Sequence, residues 1–148
     1  MGMTSERYVY PIELDPEPDG SAVNLSFPDV RGARTWGDDE AEALSLAEDC
    51  LIAALGGYIK LNKPIPKPSP AQGRPTVTLP PLVAAKLALY QAMRAQGVGV
   101  EELAGRLGMA EPAVRRVLDL DHRSHIDQVE AALRCLGKRL EVTVRDAA

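Results

Sequence analysis

Aromatic side chains are scarce in this chain of 148 residues, which contains one Trp, one Phe and four Tyr. The core must therefore be mainly aliphatic, and a hydrophobic content of 45% is that of a globular protein. Long apolar runs are also missing, since none approaches the roughly 20 residues that a transmembrane helix needs. The first residues are polar and charged, unlike a signal peptide. We therefore expect a cytoplasmic protein with no membrane partner.

Cysteine and histidine are represented by two residues each. Cys50 and Cys135 are far apart in the sequence and each falls within an apolar helical pattern, so we expect two buried free thiols and no disulfide. His122 and His125 have an HxxH spacing, but no third ligand lies at a suitable spacing from them. The sequence therefore predicts neither a metal site nor a cofactor.

Charge is distributed unevenly along the chain, which has a net charge of −4. Residues 1–79 contain 12 acidic and 7 basic residues, a net charge of −5. Residues 80–148 contain 9 acidic and 10 basic residues, a net charge of +1. Because an acidic surface repels nucleic acid, the two halves are suited to different partners. We therefore predict two domains, 1–79 and 80–148, the first of which includes a stiff, Pro-rich linker at 62–75.

The first domain begins with patterns that predict an antiparallel sheet. Apolar and polar residues alternate over 8–15 and again over 23–27, and the turn-forming stretch DPEPDG lies between them. The short stretch ARTWG at 33–37 is a candidate third strand. The stretch TVTL at 76–79 predicts one more strand, which either closes this sheet or pairs elsewhere.

A single helix is predicted after the first three strands. Asp39 is its expected N-cap, with Glu42 three residues later in a capping-box-like pair. Apolar residues follow at helical spacing: Leu44, Ala47, Leu51, Leu55 and Tyr58. The pair Gly56-Gly57 is expected to weaken or end this helix.

The second domain is predicted to be helical except at its end. Helices are expected over 82–96, 101–107 and 112–118, and Ser124 is the expected N-cap of a fourth. Leu140, Val142 and Val144 alternate with polar residues and predict a short final strand. The predicted fold class is α+β: an N-terminal antiparallel sheet with one helix, then a helical domain with a C-terminal strand.

The stretch VEELAGRLGMAEPAVRRVLDL at 100–120 has the pattern of a helix-turn-helix element. Ala104 is small enough for a second helix to cross the first, and Gly108 can adopt the positive φ that the turn needs. Apolar residues at suitable positions would lock the two helices together: Leu103, Leu107, Met109, Val114 and Leu118. The alternative is a helical hairpin in an ordinary core.

The polar residues of this element and of the following loop are the candidate DNA contacts. Arginine can bind guanine or phosphate, glutamate can accept a hydrogen bond from cytosine, and loops commonly contact phosphates. The candidates are Arg106, Glu111, Arg115, Arg116, His122, Arg123 and Ser124. A monomer with a net charge near +1 should bind DNA weakly, so we expect at least a dimer. Pairing of the final strands through Leu140, Val142 and Val144 would set two recognition helices at a fixed spacing.

The first domain contains a combination of motifs that resembles the HicB family of bacterial antitoxins. Phe27-Pro28-Asp29 ends a strand, and Gly32 and Thr35-Trp36-Gly37 follow it. Glu42-Ala43 then lies at the start of the helix, and Pro64-Ile65-Pro66-Lys67-Pro68 forms the tail. The chain departs from the family pattern at Ala33, where a Cys is common. The resemblance extends over 8–69, and the second half is similar to the helix-turn-helix tail of some members.

The resemblance implies a function in a toxin–antitoxin pair and a first domain similar to a truncated ribonuclease-H fold. Such antitoxins bind a small basic HicA-type toxin, an endoribonuclease that cleaves mRNA, and bind the operator of their own gene pair. A domain with a net charge of −5 suits a cationic partner. Loop carboxylates with free reach are the candidate toxin contacts: Asp15, Glu17, Asp19 and Asp29.

Two alternatives remain open from the sequence. The chain could be a stand-alone transcription regulator whose first domain senses a small ligand. It could also be a ribonuclease-H-like nuclease, in which two-metal hydrolysis would need several carboxylates to converge. The available carboxylates, Glu13, Asp15, Asp29 and Glu48, are more simply explained as surface charges. We therefore predict that the protein is not an enzyme.

Overall fold

The computed structural model describes residues 7–147. The chain divides into two compact units, the first ending at Leu79 and the second beginning at Pro80. The first unit contains all the assigned strands of the described residues and one long helix, and the second contains four helices. The predicted α+β class is confirmed.

The strands of the first unit form two antiparallel sheets. The strands are β1 (Val9–Pro11), β2 (Glu13–Pro16), β3 (Val23–Ser26), β4 (Arg34–Gly37) and β5 (Thr76–Thr78). Strands β2, β3 and β4 form one sheet in that order, and β1 pairs with β5 in the other. The segment 8–15, which was predicted as one strand, therefore forms two: β1, which pairs with β5, and β2, which pairs with β3. Its path changes at Ile12, whose N–H donates to the carbonyl of Pro75 at 2.9 Å.

Helix α1 (Glu40–Lys60) covers one face of the three-stranded sheet. Asp39 is its N-cap, as predicted, and its Oδ1 accepts the N–H of Glu42 at 2.8 Å. The buried face is formed by small residues near the N-terminus and leucines beyond them: Ala43, Ala47, Leu51 and Leu55. Leu44 was predicted in this face but is 41% exposed, because Ala43 occupies the position against the sheet.

The pair Gly56-Gly57 does not end α1, contrary to expectation, and the helix continues to Lys60. One tertiary contact and one backbone hydrogen bond at the C-cap hold its last turns. The hydroxyl of Tyr58 donates to the carbonyl of Arg31 at 2.9 Å, and the N–H of Leu61 donates to the carbonyl of Gly57 at 3.1 Å. These contacts offset the low helix propensity of two glycines.

The Pro-rich segment after α1 packs on the first unit. It is extended, as predicted, with no helix or strand assigned over 63–75. Ile65 is only 7% exposed, and the buried Tyr10 donates its hydroxyl to the carbonyl of Pro66 at 2.8 Å. The segment ends in β5, whose pairing with β1 confirms the strand predicted over 76–79.

Four helices form the second unit: α2 (Pro81–Gln96), α3 (Val100–Leu107), α4 (Glu111–Leu118) and α5 (Ile126–Cys135). Helix α2 packs against α4 and α5, and α3 packs against the same two helices. Pro81 occupies the first position of α2, where its missing N–H costs nothing. The most deeply buried large apolar side chains of this core are aliphatic: Leu87, Leu89, Leu103, Val114 and Val129.

The chain after α5 differs from its prediction. No strand is assigned over 140–147 in the described part of the chain, so the predicted C-terminal strand is wrong for a single copy. Val142 is 72% exposed and Val144 is 91% exposed. A lone strand cannot satisfy its backbone groups by itself, and the second unit offers no other strand among its described residues.

Two other properties concern the whole described chain. Cys50 and Cys135 are free, as predicted, but each is half-buried instead of buried. Burial raises the pKa of the Cys50 thiol. Over residues 7–147, no helix is both long enough and apolar enough to span a membrane.

Gly37 provides a test of how β4 meets α1. A Cβ atom at this position would lie 2.5 Å from the backbone nitrogen of Ala43 and 2.9 Å from the carbonyl carbon of Glu42. We therefore expect Gly37→Ala to lower the free energy of unfolding by about 1–3 kcal/mol, the usual cost of overpacking. Urea denaturation followed by the fluorescence of Trp36, the only tryptophan, measures this in the first unit.

Gly56→Ala is the matched control for this prediction. Gly56 is inside a helix, and apart from the backbone of its own helix and its chain neighbours no atom lies within 4 Å of a Cβ built there. Alanine should therefore raise the free energy of unfolding by about 1 kcal/mol. Equal stability of Gly37→Ala and the parent would contradict the close approach of β4 to the start of α1.

Candidate functional site

Helices α3 and α4 form the pair that the sequence predicted at 100–120. Gly108 ends α3 with a φ of 65°, and the N–H of Met109 donates to the carbonyl of Ala104 at 3.0 Å. Ala104 is 5% exposed at the contact between the helices. Leu103, Val114 and Leu118 of the predicted locking residues are buried, whereas Leu107 and Met109 are half-buried. Two short helices are thus locked around a tight turn.

The outer face of α4 carries two exposed arginines. Arg115 is paired with Glu111, with 3.1 Å between the guanidinium and the carboxylate. Arg106 on α3 is paired with Glu102 at 3.4 Å. Among the described residues, no carboxylate lies within ion-pair distance of Arg116. Of the arginines predicted to contact DNA in this helix pair, Arg116 is therefore the one whose guanidinium needs no exchange of partners to bind an anion.

The loop between α4 and α5 exposes His122 and Arg123, as a DNA-contacting loop should. Ser124 differs from its prediction. The N-cap of α5 is His125, and no side chain caps the helix, so the assignment of Ser124 as N-cap is wrong. Ser124 is 9% exposed, and its hydroxyl points to groups within the unit.

Those groups include Lys86, which is fully buried on α2. Its ammonium group donates to the carbonyls of Arg116 at 3.1 Å, Asp119 at 2.6 Å and His122 at 2.7 Å. It also lies 2.9 Å from the hydroxyl of Ser124. Burial lowers the pKa of Lys86, and the carboxylates of Asp119 and Asp121 oppose that shift. The sequence interpretation missed this residue, although a lysine within the apolar run LVAAKLALY was the available indication.

The first unit presents a second candidate surface, on the face of the sheet opposite α1. Paired residues of adjacent strands share a face, and alternate residues point to opposite faces. Leu25 and its neighbours in register, Leu14 and Thr35, lie on the side that α1 covers. The outer face is therefore formed by two rows of paired residues: Asp15, Asn24 and Trp36, and Glu13, Ser26 and Arg34. We call these six residues the outer sheet face.

Trp36 is the most unusual member of the outer sheet face because it is 58% exposed. Asp15 lies in the same row, beyond Asn24. Glu17 is close to this row, since its carboxylate accepts a hydrogen bond from the amide of Asn24 at 2.8 Å. An exposed indole that shares a face with carboxylates is suited to a partner with an apolar pocket and a basic rim.

The other two predicted toxin contacts have structural partners. Asp19 accepts the N–H of Ser21 at 2.9 Å in the turn before β3. Hydrogen bonds from the side chain and backbone of Ser21 hold the pKa of Asp19 below its usual value. Asp29 lacks the free reach predicted for it, because its carboxylate accepts both the N–H and the hydroxyl of Ser69 at 2.8 Å. It thereby fastens the Pro-rich segment to the strand end at Phe27.

The carboxylates considered for two-metal hydrolysis are dispersed. Glu13 is paired with Arg74 at 3.4 Å, Asp29 is bound to Ser69, and Glu48 is exposed on α1. Within residues 7–147, no group of three or more His, Cys, Asp or Glu side chains is placed to hold a metal ion.

These features define a mixed α+β protein in which an acidic sheet unit precedes a helical unit. The profile of the HicB-like antitoxins of bacterial toxin–antitoxin systems matches residues 9–88. The chain therefore belongs to the HicB-like antitoxin family, and the resemblance noted in its sequence is confirmed.

Curated relatives match nearly the whole chain. It is 36% identical over 138 residues to antitoxin HicB 2 of Photorhabdus laumondii subsp. laumondii, covering 93% of this chain and 97% of that protein. It is 35% identical over 136 residues to antitoxin HicB of Escherichia coli strain K12, covering 91% and 98%. Antitoxin HicB of Pseudomonas fluorescens is 35% identical over 145 residues, covering 97% and 98%. The relatives are named as antitoxins, a role that does not require catalysis.

Proposed function

We propose that this protein neutralises a HicA-type, mRNA-cleaving toxin through its first unit and represses its own operon by binding operator DNA through its second. The observation that carries the proposal is the different character of the two exposed surfaces. The outer sheet face combines Trp36 with carboxylates, whereas α4 and the following loop expose arginines. The first surface suits a basic protein, and the second suits a polyanion.

Toxin binding is supported by the exposure of Trp36. Tryptophan is among the residues that contribute most to binding when buried at the centre of an interface. Asp15 lies beyond Asn24 in the same row, and Glu17 is bonded to Asn24, so both are placed to steer a cationic partner and to pair with its basic side chains. Asp29 contributes indirectly, because it holds the Pro-rich segment in place.

DNA binding is supported by the pair α3 and α4, which we assign as a helix-turn-helix element with α4 as the recognition helix. Its exposed arginines are suited to guanine edges or phosphates. His122 and Arg123 follow as phosphate contacts. Glu111 accepts from Arg115 and restrains that side chain before DNA binds.

A homodimer or higher oligomer is part of the proposal. Two of the three apolar residues of the last segment, Val142 and Val144, are largely exposed, and Leu140 is half-buried. Pairing of this segment with its copy in a second chain would satisfy its backbone groups and bury these side chains. It would also place two recognition helices at a fixed spacing for two half-sites.

The toxin-binding surface predicts the effect of two substitutions. Trp36→Ala should weaken binding of a co-expressed HicA-type toxin by about 2 kcal/mol or more, because it removes the apolar anchor. Asp15→Lys should slow association, since it reverses a steering charge. Pull-down and growth rescue measure both effects. Leu61→Ala is the control, because Leu61 is a 66% exposed apolar side chain at the other end of α1. Full neutralisation by Trp36→Ala would show that the outer sheet face is not the toxin site.

The recognition helix predicts the effect of two further substitutions. Arg115→Ala and Arg116→Ala should each weaken binding to the protein's own promoter DNA. Loss of a base contact should cost about 1–3 kcal/mol and relax specificity at one position, whereas loss of a phosphate contact should reduce the salt slope by about one. Titration against promoter and scrambled duplexes at several salt concentrations separates the two cases.

Arg134→Ala is the matched control for these titrations. Arg134 is an exposed arginine on α5, and its ion pair with Glu130, at 3.0 Å, has the same spacing as that of Arg115 with Glu111. This control variant should bind as the parent does. If Arg115→Ala and Arg116→Ala also bind as tightly as the parent, α4 is not the recognition helix.

The proposed dimer predicts a change in mass. Val142→Asp places a carboxylate in the paired strands and should lower the molar mass that light scattering reports at micromolar concentration. Glu141→Asp, a neighbouring change that keeps its charge, should leave the mass unchanged. A monomeric parent protein would refute the dimer.

A further inference from the structure

We propose that Lys86 is a positioning residue for DNA recognition. Its buried ammonium group holds the end of α4 and the loop 119–124 in the shape that presents Arg116, His122 and Arg123 to DNA. This inference rests on the proposed binding of operator DNA by the second unit. Lys86 belongs to α2, which is distant in sequence from α4, so the sequence alone does not indicate this role.

The contacts of Lys86 converge on one short stretch of backbone. Three of its hydrogen-bond acceptors are the carbonyls of Arg116, Asp119 and His122, which are spaced three residues apart. The first belongs to the last turn of α4, where it also accepts the N–H of the C-cap residue Asp119 at 3.2 Å. The negative end of the helix dipole lies there and favours a cation. A single ammonium group therefore joins the end of α4 to the loop that follows it.

The neighbouring carbonyls depend on the cation for this arrangement. Carbonyl oxygens that converge on one point repel each other unless a donor lies between them, and an ammonium group offers three N–H donors and a full positive charge. Each of the three carbonyls also accepts one backbone N–H, from Asp119, His122 and Ser124 in turn. Removal of the ammonium group would leave each carbonyl with that single donor and would remove the cation that holds the three together.

The same cluster fixes the side chains that face outward. Because a residue's carbonyl and side chain are joined through its backbone, an inward carbonyl constrains where the side chain points. Arg116 and His122 have carbonyls bound to Lys86 and side chains that are exposed. The ring of His122 is held further, since its Nδ1 lies 3.0 Å from the hydroxyl of Ser124, which itself contacts Lys86. Arg123 lies in the sequence between His122 and Ser124, both of which are held by these contacts.

Lys86 and Ser124 are within hydrogen-bond distance, at 2.9 Å, as a catalytic base and a serine nucleophile would be. A base needs a free electron pair on the amine. Here the nitrogen donates to three carbonyls, which stabilise the protonated form, and Ser124 is 9% exposed. The arrangement therefore favours a positioning role.

Lys86→Met in the full chain tests the proposal, with Lys138→Met, a change at an exposed lysine of the same unit, as control. Thermal unfolding first identifies a temperature at which each variant is folded. At that temperature we expect Lys86→Met to bind a promoter duplex about tenfold more weakly, with a salt slope reduced by about one or more as phosphate contacts are lost. Binding of the co-expressed toxin should be unchanged.

A double-mutant cycle separates positioning from simple stability. If Lys86 positions Arg123, then Arg123→Ala should weaken DNA binding in the parent but have little further effect in Lys86→Met. A purely structural role predicts parental affinity once the variant is folded, and additive effects. Either of these results would overturn the proposal.

A milder variant covers the case in which Lys86→Met does not fold. Ser124→Ala retains the lysine but removes one of its acceptors and the contact to His122. We expect Ser124→Ala to bind DNA more weakly, and we expect His122→Ala to have little further effect in that variant. Parental DNA binding by Ser124→Ala, with additive effects of the two substitutions, would overturn the proposal.

Failure of the operator-binding function itself has a different result. In that case Arg115→Ala and Arg116→Ala bind promoter DNA like the parent.

Discussion

The ammonium group of Lys86 lies fully buried among carbonyl oxygens at the end of α4, and we propose that the shape of the loop 119–124 depends on this contact. A buried charge is costly unless it is paired and hydrogen-bonded, so its surroundings must be arranged around it. Three carbonyls from one stretch of backbone and one hydroxyl meet this requirement. The exposed side of that stretch carries the residues that we assign to DNA. The same stretch of backbone thus contacts the buried ammonium group on its inner side and carries the proposed DNA contacts on its outer side.

A comparable constraint operates in the first unit, where one helix can cover only one face of the sheet. Ala43 and Ala47 let the start of α1 lie close to β4, and Gly37 has no side chain at the point of closest approach. The opposite face remains open to solvent, with Trp36 exposed on it. Exposure of an indole costs free energy that a partner can recover on binding. The single layer of helix therefore stabilises the sheet and leaves exposed the face that we propose for toxin binding.

The elements governed by local rules could be predicted from sequence. Alternation over 23–27, the Asp39 cap and the turn at Gly108 each depend on a few neighbouring residues, and the structure agrees with all three. Features that depend on distant contacts could not be predicted. Tyr58 donates a hydrogen bond to the carbonyl of Arg31 and so supports α1 beyond Gly57. Ser124 contacts Lys86 and does not cap α5.

The candidate site was likewise predictable where local periodicity decides exposure, and not where distant contacts decide it. The pattern of charges identified Arg115, Arg116 and Asp15 as exposed polar residues, because their faces follow from helix and strand periods. It did not identify Trp36, whose exposure follows from the register between β3 and β4. It also treated Asp29 as a free carboxylate, since the contact to Ser69 joins residues 40 positions apart. The terminal segment could be assigned as a strand only if a second copy pairs with it.

We propose that toxin and operator bind to separate surfaces of one chain. Native mass spectrometry of the full-length protein, mixed with its co-expressed HicA-type toxin and a duplex of its own promoter, tests this proposal. We expect a complex that contains protein, toxin and DNA together, because each partner binds a surface that the other leaves free. Complexes that contain toxin or DNA but never both would contradict it.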